Sequence, residues 1–83
     1  MNRKEEEAVV AKQIGKAIQY WRTEVGMSQA ALSEKLDVAQ QTVQQWEAGK
    51  RRISAPTLYL IAKTIQVPYI LLFADVESRL EPA

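Results

Sequence analysis

Apolar residues in this chain recur at intervals of three and four, and that spacing excludes most folds at once. Val10, Ile14, Ala17, Ile18, Trp21 and Val25 form one such stripe; Leu58, Ile61, Ala62 and Ile65 form another. Residues three and four apart share one face of an α-helix, whereas a half-buried strand needs strict alternation. No segment reads as a strand. Asn2 with Glu5 three positions on resembles a capping pair, and Glu5, Glu6 and Glu7 sit where a helix N-terminus favours negative charge. Helix 1 is therefore expected to start near Arg3 and to stop at Gly26.

Between the two stripes lie two shorter segments. Ser28 is a good N-cap for Gln29 to Leu36, whose Ala31, Leu32 and Leu36 would face a core. Asp37, Val38 and Ala39 then give a turn of the length that joins the two helices of a helix-turn-helix, with Val38 plugging the angle. The next helix has apolar Ala39, Val43 and Trp46 on one side and ends at Gly49. At 100° per residue, its glutamines at 40, 41, 44 and 45 spread over the remaining arc and point away from the core. Ser54 caps a fourth helix, with Pro56 tolerated in its first turn, and Gln66-Val67-Pro68 breaks it. Tyr69 to Ala74, apolar nearly all round, is expected to form a fifth. The whole reads as an all-α, compact five-helix domain. Residues 1–9 are an N-terminal extension continuous with helix 1, 10–74 are the domain, and 75–83 are a polar tail.

What the chain lacks narrows its chemistry. With no cysteine and no histidine it has no disulfide, no thiolate metal site and no imidazole for acid–base work. No nucleophile stands with a base, and no glycine loop could cradle a phosphate, so no enzymatic activity and no cofactor is expected. Three consecutive glutamates do not converge on one ion from a helix, and no metal is expected either. The longest apolar run, Tyr69 to Ala74, falls far short of the ~20 residues that span a bilayer. Met1 to Lys4 leads into glutamates and not into the apolar segment of a secretion signal. A reducing cytoplasm fits all of this.

Charge is informative only by place. The chain has eleven basic and ten acidic residues, for a net charge of +1. Yet Gln40 to Arg52 holds three basic residues against one acid, while Asp75 to Ala83 holds three acids against one arginine. Lys50, Arg51 and Arg52 follow directly on the glutamine helix. A glutamine amide offers a donor and an acceptor side by side and can pair with N6 and N7 of adenine. The basic triad would neutralise phosphate and set register. A neutral glutamine face can also be a mere soluble surface; the preceding short helix, the turn and the triad favour base reading.

These residues together bear a resemblance. Ile14-Gly15, Ile18, Trp21-Arg22, Gly26-Met27-Ser28-Gln29, Leu32, Val38, Val43, Trp46-Glu47 and Gly49 stand at the spacings of the helix-turn-helix repressors typified by the lambdoid phage repressor and Cro proteins. Leu58, Ala62, Ile65, Val67 and Leu72 continue the pattern. The resemblance implies a lambda-repressor-like fold whose third helix lies in the DNA major groove. It implies base contacts from Gln40, Gln41 and Gln45, a groove-facing Gln44, and a phosphate contact from Gln29. It also implies an ion pair between Arg22 and Glu47 that ties helix 1 to the end of the recognition helix.

Three positions depart from that pattern. Asp37 replaces a glycine in the turn, Ala39 replaces the serine or threonine that caps the recognition helix, and Ala48 lacks a polar side chain that relatives carry. Tyr69, Ile70 and Leu71 are surplus to a core that Val67, Leu72 and Phe73 can fill, and surplus apolar surface marks an interface. The expectation is a homodimer that binds double-stranded DNA at a palindromic operator as a transcription regulator, acting as a repressor in the cytoplasm of a bacterium or phage host. The alternative keeps the fold but makes it an antitoxin-like or accessory protein whose main partner is another protein.

Overall fold

The computed structural model describes residues 1–74. Four α-helices follow one another: α1 at Arg3–Glu24, α2 at Gln29–Leu36, α3 at Gln40–Glu47 and α4 at Ala55–Ile65. A 3-10 helix, Tyr69–Phe73, comes last. The expected fifth α-helix is thus corrected to a 3-10 turn. Five residues after a proline leave little room for i→i+4 bonds, and Leu71 N–H instead reaches back three residues to the Pro68 carbonyl at 3.0 Å.

Three of the helices start on side-chain caps. Asn2 accepts from Glu5 N–H, Ser28 from Ala31 N–H and Ser54 from Thr57 N–H. The fourth does not: Ala39 opens α3 in an extended conformation with no side-chain acceptor. Two helices end on non-glycine residues in the left-handed region, Asp37 at φ 56° and Gln66 at φ 62°. A left-handed residue costs about 1–2 kcal/mol without glycine, and aspartate is among the residues that tolerate it.

Ile18, Leu32, Val43, Trp46, Leu58, Ile61, Ile65 and Leu72 fill the core, with Ile14, Trp21, Met27, Leu36, Val38 and Phe73 packed around it. Each fully buried aliphatic side chain contributes about 1.5–3 kcal/mol of transfer free energy. Helix α1 packs on α3, α4 and the 3-10 turn, and α2 packs on α3 and α4. The two tryptophans differ. Trp46 is buried, whereas Trp21 is only half-buried and carries Tyr20 edge-on at 4.9 Å. Val25, counted in the α1 stripe, is exposed at the helix end.

The approach of α1 to α3 depends on Gly15. A Cβ at that position would lie 2.5 Å from both the Trp46 and the Glu47 carbonyl oxygens. Only a residue without Cβ lets α1 sit against the last turn of α3, which fixes the direction in which the opposite face of α3 points.

Candidate nucleic-acid interface

Helix α3 divides cleanly by burial. Val43, Trp46 and Glu47 are buried, Gln40, Gln41 and Gln44 are exposed, and Gln45 is half-buried at the edge between the two sides. Two buried apolar anchors three residues apart hold the helix in one rotation, so three amides face outward and a fourth lies along the rim. Ala39 and Ala48 are exposed at the two ends.

The far end of α3 is tied down by a buried network. Arg22 donates from Nε to Glu47 Oε2 at 2.6 Å and from Nη2 to Oε1 at 3.0 Å, a bidentate pair whose side chains are 7% and 4% exposed. Arg22 Nη1 also donates to the Met27 carbonyl at 2.7 Å. Gln29 completes the set by donating from Nε2 to Glu47 Oε1 at 2.9 Å. Burying two charges is costly unless pairing and further hydrogen bonds compensate, and here every buried polar side-chain atom among the described residues has a partner. One carboxylate therefore joins α1, the start of α2 and the end of α3. Gln29 keeps a second Nε2 hydrogen free.

The basic triad splits in direction. All three residues are exposed. Arg51 Nη1 donates to Gln45 Oε1 at 2.7 Å. Arg52 Nη2 lies 3.4 Å from Glu7 Oε2 on α1, and Glu7 also meets Arg3 at 3.2 Å one turn earlier. Glu7 sits in sequence as a helix-start charge. Its link to a residue 45 positions away has no local signature. Tyr69 and Ile70 are exposed, while Leu71 is half-buried in a cleft it shares with Ala17, Tyr20 and Trp21. Exposed Tyr59 of α4 extends the apolar surface, its ring 6.2 Å from that of Tyr69, while exposed Leu60 lies in a groove with Lys35 and Leu36 of α2. Among the described residues no cluster of side chains could hold a metal ion, and no helix is long and apolar enough to cross a membrane.

A short capped helix, a tight left-handed turn and a second helix with a polar outer face define a DNA-binding helix-turn-helix. Residues 18–72 match the family described as Helix-turn-helix, and the chain belongs to that family. It is 38% identical over 64 residues to an uncharacterized transcriptional regulator in the ATPase CF(0) region of Rhodospirillum rubrum, covering 77% of this chain and 59% of the relative. It is 37% identical over 62 residues to an uncharacterized HTH-type transcriptional regulator of Sinorhizobium medicae, covering 75% and 45%. The chain thus spans about half the length of these relatives.

Solved structures show the same arrangement. The DNA-binding domain of BldD superposes with a TM-score of 0.71 at 28% identity over 78% of this chain and 94% of that one. The restriction-modification controller protein C.AhdI from Aeromonas hydrophila gives 0.71 at 24% identity, over 76% and 96%. An HTH_3 family transcriptional regulator from Vibrio cholerae gives 0.77 at 23% identity, over 89% and 42%. At those last two identities the likeness concerns the fold.

Proposed function

We propose that this protein is a homodimeric, sequence-specific regulator that binds a palindromic operator and represses the genes beside it. The observation that carries this reading is the split of α3 into a buried side anchored by Val43 and Trp46 and an outer side bearing Gln40, Gln41 and Gln44, with Gln45 along the rim. An eight-residue helix with amides along its free face fits the major groove, where the pattern of donors and acceptors distinguishes all four base pairs. Lys50, Arg51 and Arg52 meet phosphates around the end of α3. The free hydrogen of the Gln29 amide meets another, with Glu47 holding the amide in place.

A net charge of +1 supplies little nonspecific attraction, so affinity must come from doubled readout. A two-fold dimer presents two recognition helices about 34 Å apart. Tyr69 and Ile70, with Tyr59 beside Tyr69, supply the apolar contact. Repression asks least of such a protein, since an occupied operator excludes other proteins from the same DNA. In this reading the protein works in the cytoplasm, beside the DNA it binds.

Selection of bound sites from random duplex DNA at two salt concentrations tests the reading. A palindromic consensus with half-sites one helical turn apart is expected. Recovery of no consensus at either salt concentration would reject sequence-specific binding, and a single unrepeated half-site would reject the dimer.

A further inference from the structure

The Gln45 amide is not free to present both its groups. Its carbonyl oxygen accepts from Arg51 Nη1 at 2.7 Å. A guanidinium has donors only, so the chemistry of the contact fixes the amide orientation: Oε1 faces Arg51, and Nε2 with its two hydrogens faces outward. The backbone places the partners. Gly49 adopts φ 73°, and Lys50 N–H closes back onto the Gln45 carbonyl at 2.9 Å, so the chain reverses at the end of α3 and runs back beside the residue it has just passed. Arg52 turns the other way, onto Glu7. Among the described ion pairs none uses Arg51, which leaves Gln45 as its partner.

A lone glutamine matches adenine because it sets an acceptor against N6–H and a donor against N7. With one of its two lone pairs held by a cation, Oε1 is a poor match for adenine. The adenine amino group would approach a positive charge, whereas Nε2–H and a remaining Arg51 N–H make a surface of donors alone. Guanine offers N7 and O6, two acceptors side by side. We infer that Gln45 and Arg51 act as one donor-only reader of guanine at one position of each half-site, so that Arg51 determines specificity as well as meeting phosphate. This rests on the proposed role of α3 in base reading.

The test compares wild type, Arg51→Met and Gln45→Ala, first by site selection and then by binding to operators carrying each base at the position whose preference Gln45→Ala abolishes. Arg51 is exposed and lies outside the core, so its substitution leaves the fold intact. Wild type is expected to prefer guanine over adenine about tenfold or more, the size of one good bidentate contact. Arg51→Met is expected to shift that one position to adenine and leave every other position unchanged. Equal weakening of guanine and adenine operators by Arg51→Met would reduce Arg51 to a phosphate contact and overturn the inference, with base reading by the glutamines intact. So would wild-type preference for adenine there, or a Gln45→Ala variant that keeps the wild-type base preference at every position. A wild type without preference at any position would instead reject base reading itself, and the inference with it.

Discussion

Arg22 on α1 and Glu47 at the end of α3 meet as a bidentate pair at 2.6 and 3.0 Å, with almost no exposure of either side chain. Because Glu47 also takes the Gln29 amide, losing the carboxylate strands three N–H donors at once. Glu47→Ala is expected to destabilise the protein by about 3–5 kcal/mol, the cost of leaving a buried charge unpaired. Replacing both residues, as Arg22→Met with Glu47→Leu, should cost clearly less than the sum of the single changes. Urea unfolding of the three variants measures this, and strictly additive losses would mean the pair is not coupled.

Gly15 and Gly26 make a controlled comparison. A Cβ at Gly15 meets backbone at 2.5 Å, whereas at Gly26, with φ 74°, nothing lies within 4 Å. Gly15→Ala should destabilise by about 1–3 kcal/mol through overpacking, despite the roughly 1 kcal/mol that alanine gains in helix propensity. It should also weaken operator binding, because α1 can clear the clash only by displacing the end of α3. Gly26→Ala should cost about 1–2 kcal/mol from its backbone angle alone and leave affinity unchanged. Full wild-type stability in Gly15→Ala would show that the two helices do not approach so closely.

The uncapped start of α3 is open to improvement. Ala39→Ser supplies the missing acceptor at an extended N-cap and should add about 1 kcal/mol in thermal or chemical unfolding. Asp37→Val puts a β-branched residue at φ 56° and should lose about 1–3 kcal/mol. No gain from serine would indicate that solvent already satisfies those N–H groups as well as a hydroxyl does.

Two substitutions separate reading from positioning. Gln41→Ala should erase discrimination at one base pair of each half-site, worth about 1–3 kcal/mol, with the dependence on salt unchanged. Lys50→Ala should weaken all duplexes alike and lower the salt slope by about one. Binding titrations on matched and mismatched operators at several salt concentrations distinguish the two. Identical behaviour of the variants would remove the division of labour.

For self-association, Ile70 is the informative position, being 65% exposed next to Tyr69 in the last turn. Ile70→Glu should yield a folded monomer in sedimentation with unchanged helix content and much weaker operator binding. Leu71 is unsuitable, since its half-buried place against α1 makes a charge there a test of folding. A dimer that survives Ile70→Glu would move the interface elsewhere.

Much of the architecture could be read from the chain because its causes are local. The three-and-four spacing of Ile14, Ala17 and Ile18, the caps Ser28 and Ser54, and the stop at Gly49 each act within a turn or two of helix. The outward face of α3 was legible for the same reason: Val43 and Trp46 choose the inner side, and helical geometry assigns Gln40, Gln41 and Gln44 to the other. Spacing alone could not say that Tyr69 to Phe73 winds as a 3-10 helix, that Trp46 is enclosed while Trp21 is not, or that Leu71 is half-buried beside α1. Those outcomes depend on how closely α1 approaches α3 and the last turn, a distance that Gly15 permits but does not announce. The same holds for the pairs that organise the site. Arg22 with Glu47 is a contact 25 positions apart and Arg52 with Glu7 one of 45, while Arg51 reaches Gln45 only because the chain reverses after Gly49. Periodicity determined which residues face outward; tertiary packing decided which of those outward groups are already bound to one another, because hydrogen bonds are short and directional, and only the folded backbone brings their partners within reach.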